Sequence, residues 1–320
     1  MRTVRFHSYG DPDVLVVDET PKPLPGFGEV LVEVETVGIT LPVVRLVRGD
    51  GNGGGVPLPA APGGEVAGRI AAVGAGVTGW CEGQRVTGIT IVGAYADFAL
   101  VPMGFLTAVP DEVDLDDALL LVRSGQVASG VVRCAGVRDG ETVLVTAAAG
   151  GVGHLAIQLA RVAGAGTVIA VVSSAEKREF LLGLGADRVI TYEDLRLIAE
   201  RPVDVVLDGV GGEAQQLCLD VLAPFGRLVS YNGDGAIANV NELRMYAQTV
   251  IGFSMAPYFQ QRRQEYDENL RNLWSLRASG ALRPVISTRL PLERAADAHR
   301  MVENRQNLGK IVLRPDLPAS

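Results

Sequence analysis

Apolar positions follow two regimes along the 320 residues. Through roughly the first 115, short Val/Ile-rich runs at 30–34, 65–73 and 85–91 are bounded by glycine or proline, as short strands are. Pro21, Pro23 and Pro25 predict an extended lead into the first of them. Residues 50–64, DGNGGGVPLPAAPGG, defeat both helix and strand and read as a loop long enough to border a site. Near Asp114 the pattern changes. Asp116 and Asp117, ahead of the apolar run 118–122, predict a helix with acids in its first turn. Strands at 142–147, 167–173, 188–192, 203–208 and 226–231 then alternate with helices at 154–163, 176–182 and 213–223. These strand runs are continuously apolar, which indicates burial on both faces and a parallel sheet between helix layers. After Phe253 a long polar helix over 258–277 precedes a strand, a helix and a last strand at 310–313. The fold class is therefore α/β, a β-rich part followed by a doubly wound parallel sheet.

Composition narrows the function classes. Hydrophobic residues make up 48% and charged residues 21%, a folded, core-forming balance. The 39 glycines show no three-residue period, which excludes collagen. A net charge of −8 argues against a nucleic-acid or membrane-surface role. Arg262 and Arg263 lie among Glu265, Asp267 and Glu268 and read as a solvated face. Cys81, Cys134 and Cys218 are too scattered for a framework and read as buried thiols in a reducing compartment. No signal peptide is visible at the amino terminus. Residues 142–160 are free of charged groups, but their glycines suit a strand, tight turn and buried helix better than a membrane span. The expectation is a cytoplasmic protein.

That segment, TVLVTAAAGGVGHLAIQLA, carries the clearest chemistry. A strand enters, Ala147, Gly150 and Gly153 take the places of a dinucleotide-binding glycine triplet, and a helix leaves. Residues without bulky side chains let the backbone approach a pyrophosphate, whose charge the amides opening the helix then hold. The end of the next strand selects the cofactor. NAD sites place an acid there for the ribose hydroxyls. Here Ser173, Ser174 and Ala175 follow the strand, with Lys177 and Arg178 close behind. A hydroxyl and a cation suit a 2′-phosphate, so NADPH is favoured.

With these residues in place, the whole chain resembles the zinc-free quinone oxidoreductase branch of the medium-chain dehydrogenase/reductase (MDR) superfamily. The resemblance rests on Gly-Asp-Pro-Asp-Val-Leu at 10–15, Pro-Gly-Phe-Gly-Glu-Val-Leu-Val at 25–32 and Pro-Gly-Gly-Glu-Val-Ala-Gly at 62–68. It continues through Val-Gly-Ala-Gly-Val at 73–77, Gly-Ala-Tyr-Ala-Asp at 93–97 and the turn at 147–153. Gly-Ala-Asp at 185–187, Val-Leu-Asp at 206–208 and Gly-Lys-Ile-Val-Leu at 309–313 complete it. It implies a GroES-like catalytic domain over residues 1–118, a Rossmann NADP(H)-binding domain over 119–256 and a segment 257–320 that completes the first. The active cleft would lie between the two domains. It further implies a homodimer that transfers hydride from NADPH to small quinones, enones or enoyl thioesters. By matching positions, Gly150, Gly151, Val152, Gly153, Ser173, Lys177 and Tyr192 would contact phosphates and adenosine. Tyr231, Asn232, Gly233, Phe253, Ser254 and Met255 would line the nicotinamide side.

The same comparison shows where the chain departs. Zinc-dependent relatives carry Gly-His-Glu where this chain reads Gly63-Gly64-Glu65, and the histidines His7, His154 and His299 are scattered, so no metal site is expected. Thr40 replaces the family's asparagine, and Gly125-Gln-Val-Ala128 replaces its Gly-Leu-Thr-Ala. The family's loop tyrosine is missing after Arg48-Gly49, where Gly51, Gly53, Gly54 and Gly55 stand instead. Thr40, Ser124 and Tyr95 are candidate hydroxyl donors to a substrate oxygen, though each could instead satisfy local backbone, and no catalytic residue is nominated. No Tyr-x-x-x-Lys occurs, which excludes a short-chain dehydrogenase. Two alternatives stay open: a pathway-specific enoyl reductase, as in polyketide tailoring, and a non-catalytic NADPH-binding protein.

Overall fold

The computed structural model describes residues 1–50, 55–197, 202–233, 235 and 237–318. Its chain divides into two compact units, Met1–Val122 with Val285–Ser320, and Arg123–Pro284. Residues 257–284 thus lie in the second unit, whereas the sequence reading grouped them with the carboxy-terminal segment. The reason is packing: helix Arg263–Ala278 lies on helix Gln126–Ala135, and the Gln126 amide donates 2.8 Å to the Tyr266 carbonyl.

In the first unit, strand Glu29–Gly38 is central. It pairs antiparallel with Pro62–Val73, Phe98–Pro102 and Lys310–Leu313. Seven strands share this sheet, and Val30, Val32, Val66, Val86, Val101, Ile311 and Leu313 fill the core beneath it. The loop expected over 50–64 gives way to strand at Pro62. Gly63 is needed there, because a Cβ would collide with the Ile91 carbonyl of the neighbouring strand. Gly51, Gly53 and Gly54 lie outside the described residues. Helix Leu115–Leu120 opens as expected, with the Asp114 carboxylate accepting the Asp116 amide at 2.9 Å.

The second unit is a six-stranded sheet, parallel throughout. Its order is Arg188–Thr191, Thr167–Val172, Thr142–Val145, Val203–Asp208, Leu222–Ser230, Thr249–Gly252. Numbered along the chain, that is 3-2-1-4-5-6, the doubly wound order of dinucleotide-binding sheets. The direction of winding reverses between Thr142–Val145 and Val203–Asp208, so ligand is expected beyond their carboxyl ends. The polar helix expected over 258–277 is two helices, Met255–Gln261 and Arg263–Ala278, broken where Arg262 leaves helical geometry at φ −124°, ψ 40°.

Two of the three cysteines contradict the expectation of burial. Cys81 and Cys134 are exposed, and Cys218 alone is buried. Cys81 follows Trp80 just ahead of a turn, and Cys134 lies near the end of helix Gln126–Ala135. Among the described residues no helix is long and apolar enough to cross a membrane.

Candidate nucleotide-binding site

The glycine turn stands at the winding reversal, and four strands hold it. Strand Thr142–Val145 delivers Thr146, whose amide donates 3.1 Å to Leu207 O and whose hydroxyl donates 2.9 Å to Asp208 Oδ1. Ala147, in the first glycine position, takes the left-handed conformation at φ +46°. Its amide donates 3.0 Å to the Tyr192 hydroxyl, just past the third strand. The Ala148 amide donates 3.2 Å to Val171 O of the second strand.

Helix Gly153–Val162 starts at once. A Cβ on Gly153 would collide with the Ala147 carbonyl and lie 2.7 Å from Ala148 Cα, so only glycine fits. Gly150, Gly151 and Val152 make the bend before it. The His154 amide donates 3.2 Å to Gly150 O and the Ala156 amide 2.9 Å to Val152 O, so the backbone left to meet an anion at the helix mouth is that of Gly151, Val152 and Gly153. His154, expected just behind the turn, is fully buried, with its Nδ1 donating 2.8 Å to Gly150 O. It braces the bend from inside.

The remaining expected residues lie at the carboxyl ends of the other strands. Ser173 is exposed directly after Thr167–Val172, and half-buried Lys177 closes the short 3-10 turn Ala175–Lys177. The nearest acid there, Glu176, is exposed. Tyr231, Asn232 and Gly233 follow Leu222–Ser230. Tyr231 packs so closely on Gly209 that a Cβ at 209 would lie 2.6 Å from Tyr231 Cζ, and Asn232 donates 3.3 Å to Gly209 O. Burial, with Asp208 adding to it, pushes the Tyr231 phenol above its ordinary pKa. Phe253, Ser254 and Met255 follow the edge strand Thr249–Gly252. The Phe253 amide donates 2.8 Å to Ser230 O, and its ring lies against Gly130 of helix Gln126–Ala135. All the residues expected at the nucleotide therefore lie past the carboxyl ends of one sheet's strands.

The sequence reading missed Thr146, Asp208 and the amides of Val210 and Gly211, which tie the first strand's end to the fourth. A buried acid ending a strand and followed by Gly209-Val-Gly-Gly212 was the available signal.

The candidate hydroxyl donors divide. Tyr95 is fully buried and shares a 3.0 Å hydrogen bond with His299 Nε2, so it serves the core rather than a substrate. Thr40 is half-buried at the start of helix Leu41–Arg48, where its carbonyl accepts the Val44 amide at 3.1 Å. Ser124 is buried in the second unit. Among the described residues no three His, Cys, Asp or Glu side chains gather as a metal site. His7 is exposed beside Asp18, while His154 and His299 are sealed in separate cores. The donor set does not fit a zinc ion.

Known proteins supply the comparison. Residues 26–111 match the family described as alcohol dehydrogenase GroES-like domain, and residues 184–313 the family described as zinc-binding dehydrogenase. A 2-haloacrylate reductase from Burkholderia is 33% identical, over 97% of this chain and 98% of its own. Human quinone oxidoreductase is 28% identical, over 98% and 97%. The crystal structure of Escherichia coli quinone oxidoreductase complexed with NADPH is similar at a TM-score of 0.88 and 30% identity, over 98% of this chain and all of that one.

Proposed function

Because the chain belongs to the quinone oxidoreductase branch of the medium-chain dehydrogenase/reductase superfamily, we propose that it is an NADPH-dependent reductase acting on a quinone or an α,β-unsaturated carbonyl without zinc. Bound at the turn, NADPH supplies the hydride. The chain's own residues do the rest. The open amides before helix Gly153–Val162 hold the pyrophosphate, with Gly153 keeping the backbone clear. Ser173 and Lys177 receive the 2′-phosphate, at a strand tip where an NAD site would place a carboxylate. Tyr231 and Phe253 cover the nicotinamide end. The α carbon of the substrate takes its proton from solvent, so the lack of an acid among Thr40, Ser124 and Tyr95 is no obstacle.

The strand tip at Ser173 and Lys177 is the observation that carries this reading. The relatives' names supply the acceptor class, since quinones and 2-haloacrylate both present a carbon–carbon double bond conjugated to a carbonyl. The test is NADPH oxidation by the purified protein with a panel of quinones, enones, 2-haloacrylate and enoyl thioesters. Turnover confined to enoyl thioesters would assign the pathway-specific enoyl reductase instead. Tight NADPH binding with no turnover would assign a non-catalytic NADPH-binding protein. Lys177→Ala should weaken NADPH binding at least tenfold and leave NADH unchanged, while equal wild-type affinity for both would remove the 2′-phosphate argument. We also propose a cytoplasmic homodimer. Strand Thr249–Gly252 ends the sheet, and Ile237, Val240 and Met245 nearby are exposed, as light scattering can check.

A further inference from the structure

We infer that Thr146 and Asp208 are positioning residues for the nucleotide: they set the height of the glycine turn by locking it to the loop after the fourth strand. The inference rests on the NADPH reading of that turn. Asp208 ends strand Val203–Asp208 and is fully buried. Its carboxylate faces donors that carry no formal charge: the Thr146 hydroxyl at 2.9 Å and the amides of Val210 at 3.0 Å and Gly211 at 3.2 Å. The Thr146 hydroxyl in turn accepts the Gly209 amide at 2.8 Å. One hydroxyl thus gives its proton to the carboxylate and takes one from the adjoining loop, closing a ring through residues 146, 208 and 209.

The ring sits one residue before Ala147 turns to φ +46°. Any slip of Thr146 is passed directly to the amides of the bend. The same loop supports Tyr231 over Gly209, so one carboxylate registers the phosphate side against the nicotinamide side. The pattern does not need a charge to hold the fold together, because the strands are already joined by backbone ladders on both sides of Val203–Asp208. A buried carboxylate without a cation is costly to keep. Burial raises the Asp208 pKa, against the pull of those donors. What it secures is the alignment of two loops.

Thr146→Val keeps the shape and removes the relay, whereas Thr146→Ser keeps the hydroxyl. NADPH affinity by fluorescence titration, thermal unfolding and steady-state kinetics on an acceptor found above would be measured for both and for Asp208→Asn. Thr146→Val should raise the Kd and KM for NADPH at least tenfold while kcat at saturating NADPH stays within about twofold, and Thr146→Ser should restore binding. A Thr146→Val protein that binds NADPH within twofold of wild type would overturn the inference, however its stability changes. If Asp208→Asn fails to fold, the threonine pair still decides. Wild-type protein that binds no NADPH would overturn the proposed function and this inference together, whereas a binding wild type with an equally binding Thr146→Val defeats the inference alone.

Discussion

Both units bury carboxylates, and Glu65 of the first and Asp208 of the second are held in opposite ways. In the first, Glu65 Oε2 meets Lys310 Nζ at 2.8 Å, both side chains about 5% exposed or less. In the second, Asp208 meets backbone amides and one hydroxyl. Elsewhere the contrast repeats. The first unit ties remote segments by charge, as Asp116 to Arg289 at 2.7 Å and Arg2 to Asp97 at 2.8 Å. The second does so at the far end of its sheet, where Arg227 meets Glu141 at 2.7 Å ahead of the first strand. Around Asp208 and the glycine turn it uses glycine, hydroxyl and amide. A strand end that must present bare backbone to an anion has no room for long charged side chains. A sheet closed by a distant carboxy-terminal strand has both the room and the need.

The largest effect should come from splitting the ionic clamp. Glu65→Ala or Lys310→Met removes one of two opposite charges that meet in the core, at a cost of about 3–5 kcal/mol. Gly38 admits the pair only because it lacks a Cβ, which would lie 2.9 Å from Lys310 Cε. Removing both charges with Glu65→Leu and Lys310→Met should recover most of the loss in urea unfolding. Single variants costing under about 1 kcal/mol would erase the distinction between Glu65 and Asp208.

Acid should break the first unit next. His299 is buried against Tyr95, with its Nδ1 lacking a partner among the described residues. Burial outweighs the nearby Glu303 and pushes its pKa down to about 4 from 6.5. Between those values the unfolded chain takes up a proton that the folded chain refuses. This contribution is therefore intact above about pH 6.5 and lost as pH falls toward 4, by about 3 kcal/mol in all. Urea midpoints across that range should slope for the wild type and flatten for His299→Gln. An unchanged slope in the variant would assign the effect to other groups.

Gly153→Ala tests the second unit's manner of holding. Its Cβ would press on Ala147 and Ala148, for strain of about 1–3 kcal/mol and at least tenfold weaker NADPH binding. Thermal unfolding with and without NADPH separates the two consequences.

These contrasts show what the sequence could and could not convey. Strands Val203–Asp208 and Lys310–Leu313 have the bounds that the sequence predicts, because an apolar run flanked by polar residues marks itself. The glycine turn was equally legible, since its chemistry is local. The break at Arg262 was not: the surrounding polar residues are all acceptable in a helix, and the Gln126 contact that the second helix makes at Tyr266 lies 140 residues away. Pairings across great separations were also hidden. Tyr95 and His299 lie 204 residues apart, and Glu65 and Lys310 lie 245 apart. Taken alone, Tyr95 looked like a donor to substrate, and only the fold shows its hydroxyl turned inward. Thr146 escaped notice because a threonine ending a strand is ordinary until its partner is known.

The smallest effect sharpens the comparison most, because it comes from a place where the first unit borrows the second unit's method. Tyr9 donates 2.7 Å to Val56 O, and its ring lies against Gly49, where a Cβ would approach Tyr9 Cβ to 3.3 Å. Gly55 also faces the Tyr9 hydroxyl too closely to carry a Cβ. A tyrosine from the amino-terminal segment thus packs on Gly49, Gly55 and Val56, the described residues on either side of the stretch 51–54. Tyr9→Phe loses one hydrogen bond to a half-buried carbonyl that water can reach, about 1 kcal/mol in urea unfolding. If the stretch governs the acceptor, KM for the acceptor should change severalfold in Tyr9→Phe while the Kd for NADPH stays fixed. A change in NADPH affinity instead would mean that the glycine-held stretch of the first unit serves the nucleotide as well, and that method of holding, rather than position in one unit or the other, marks where this chain meets its ligands.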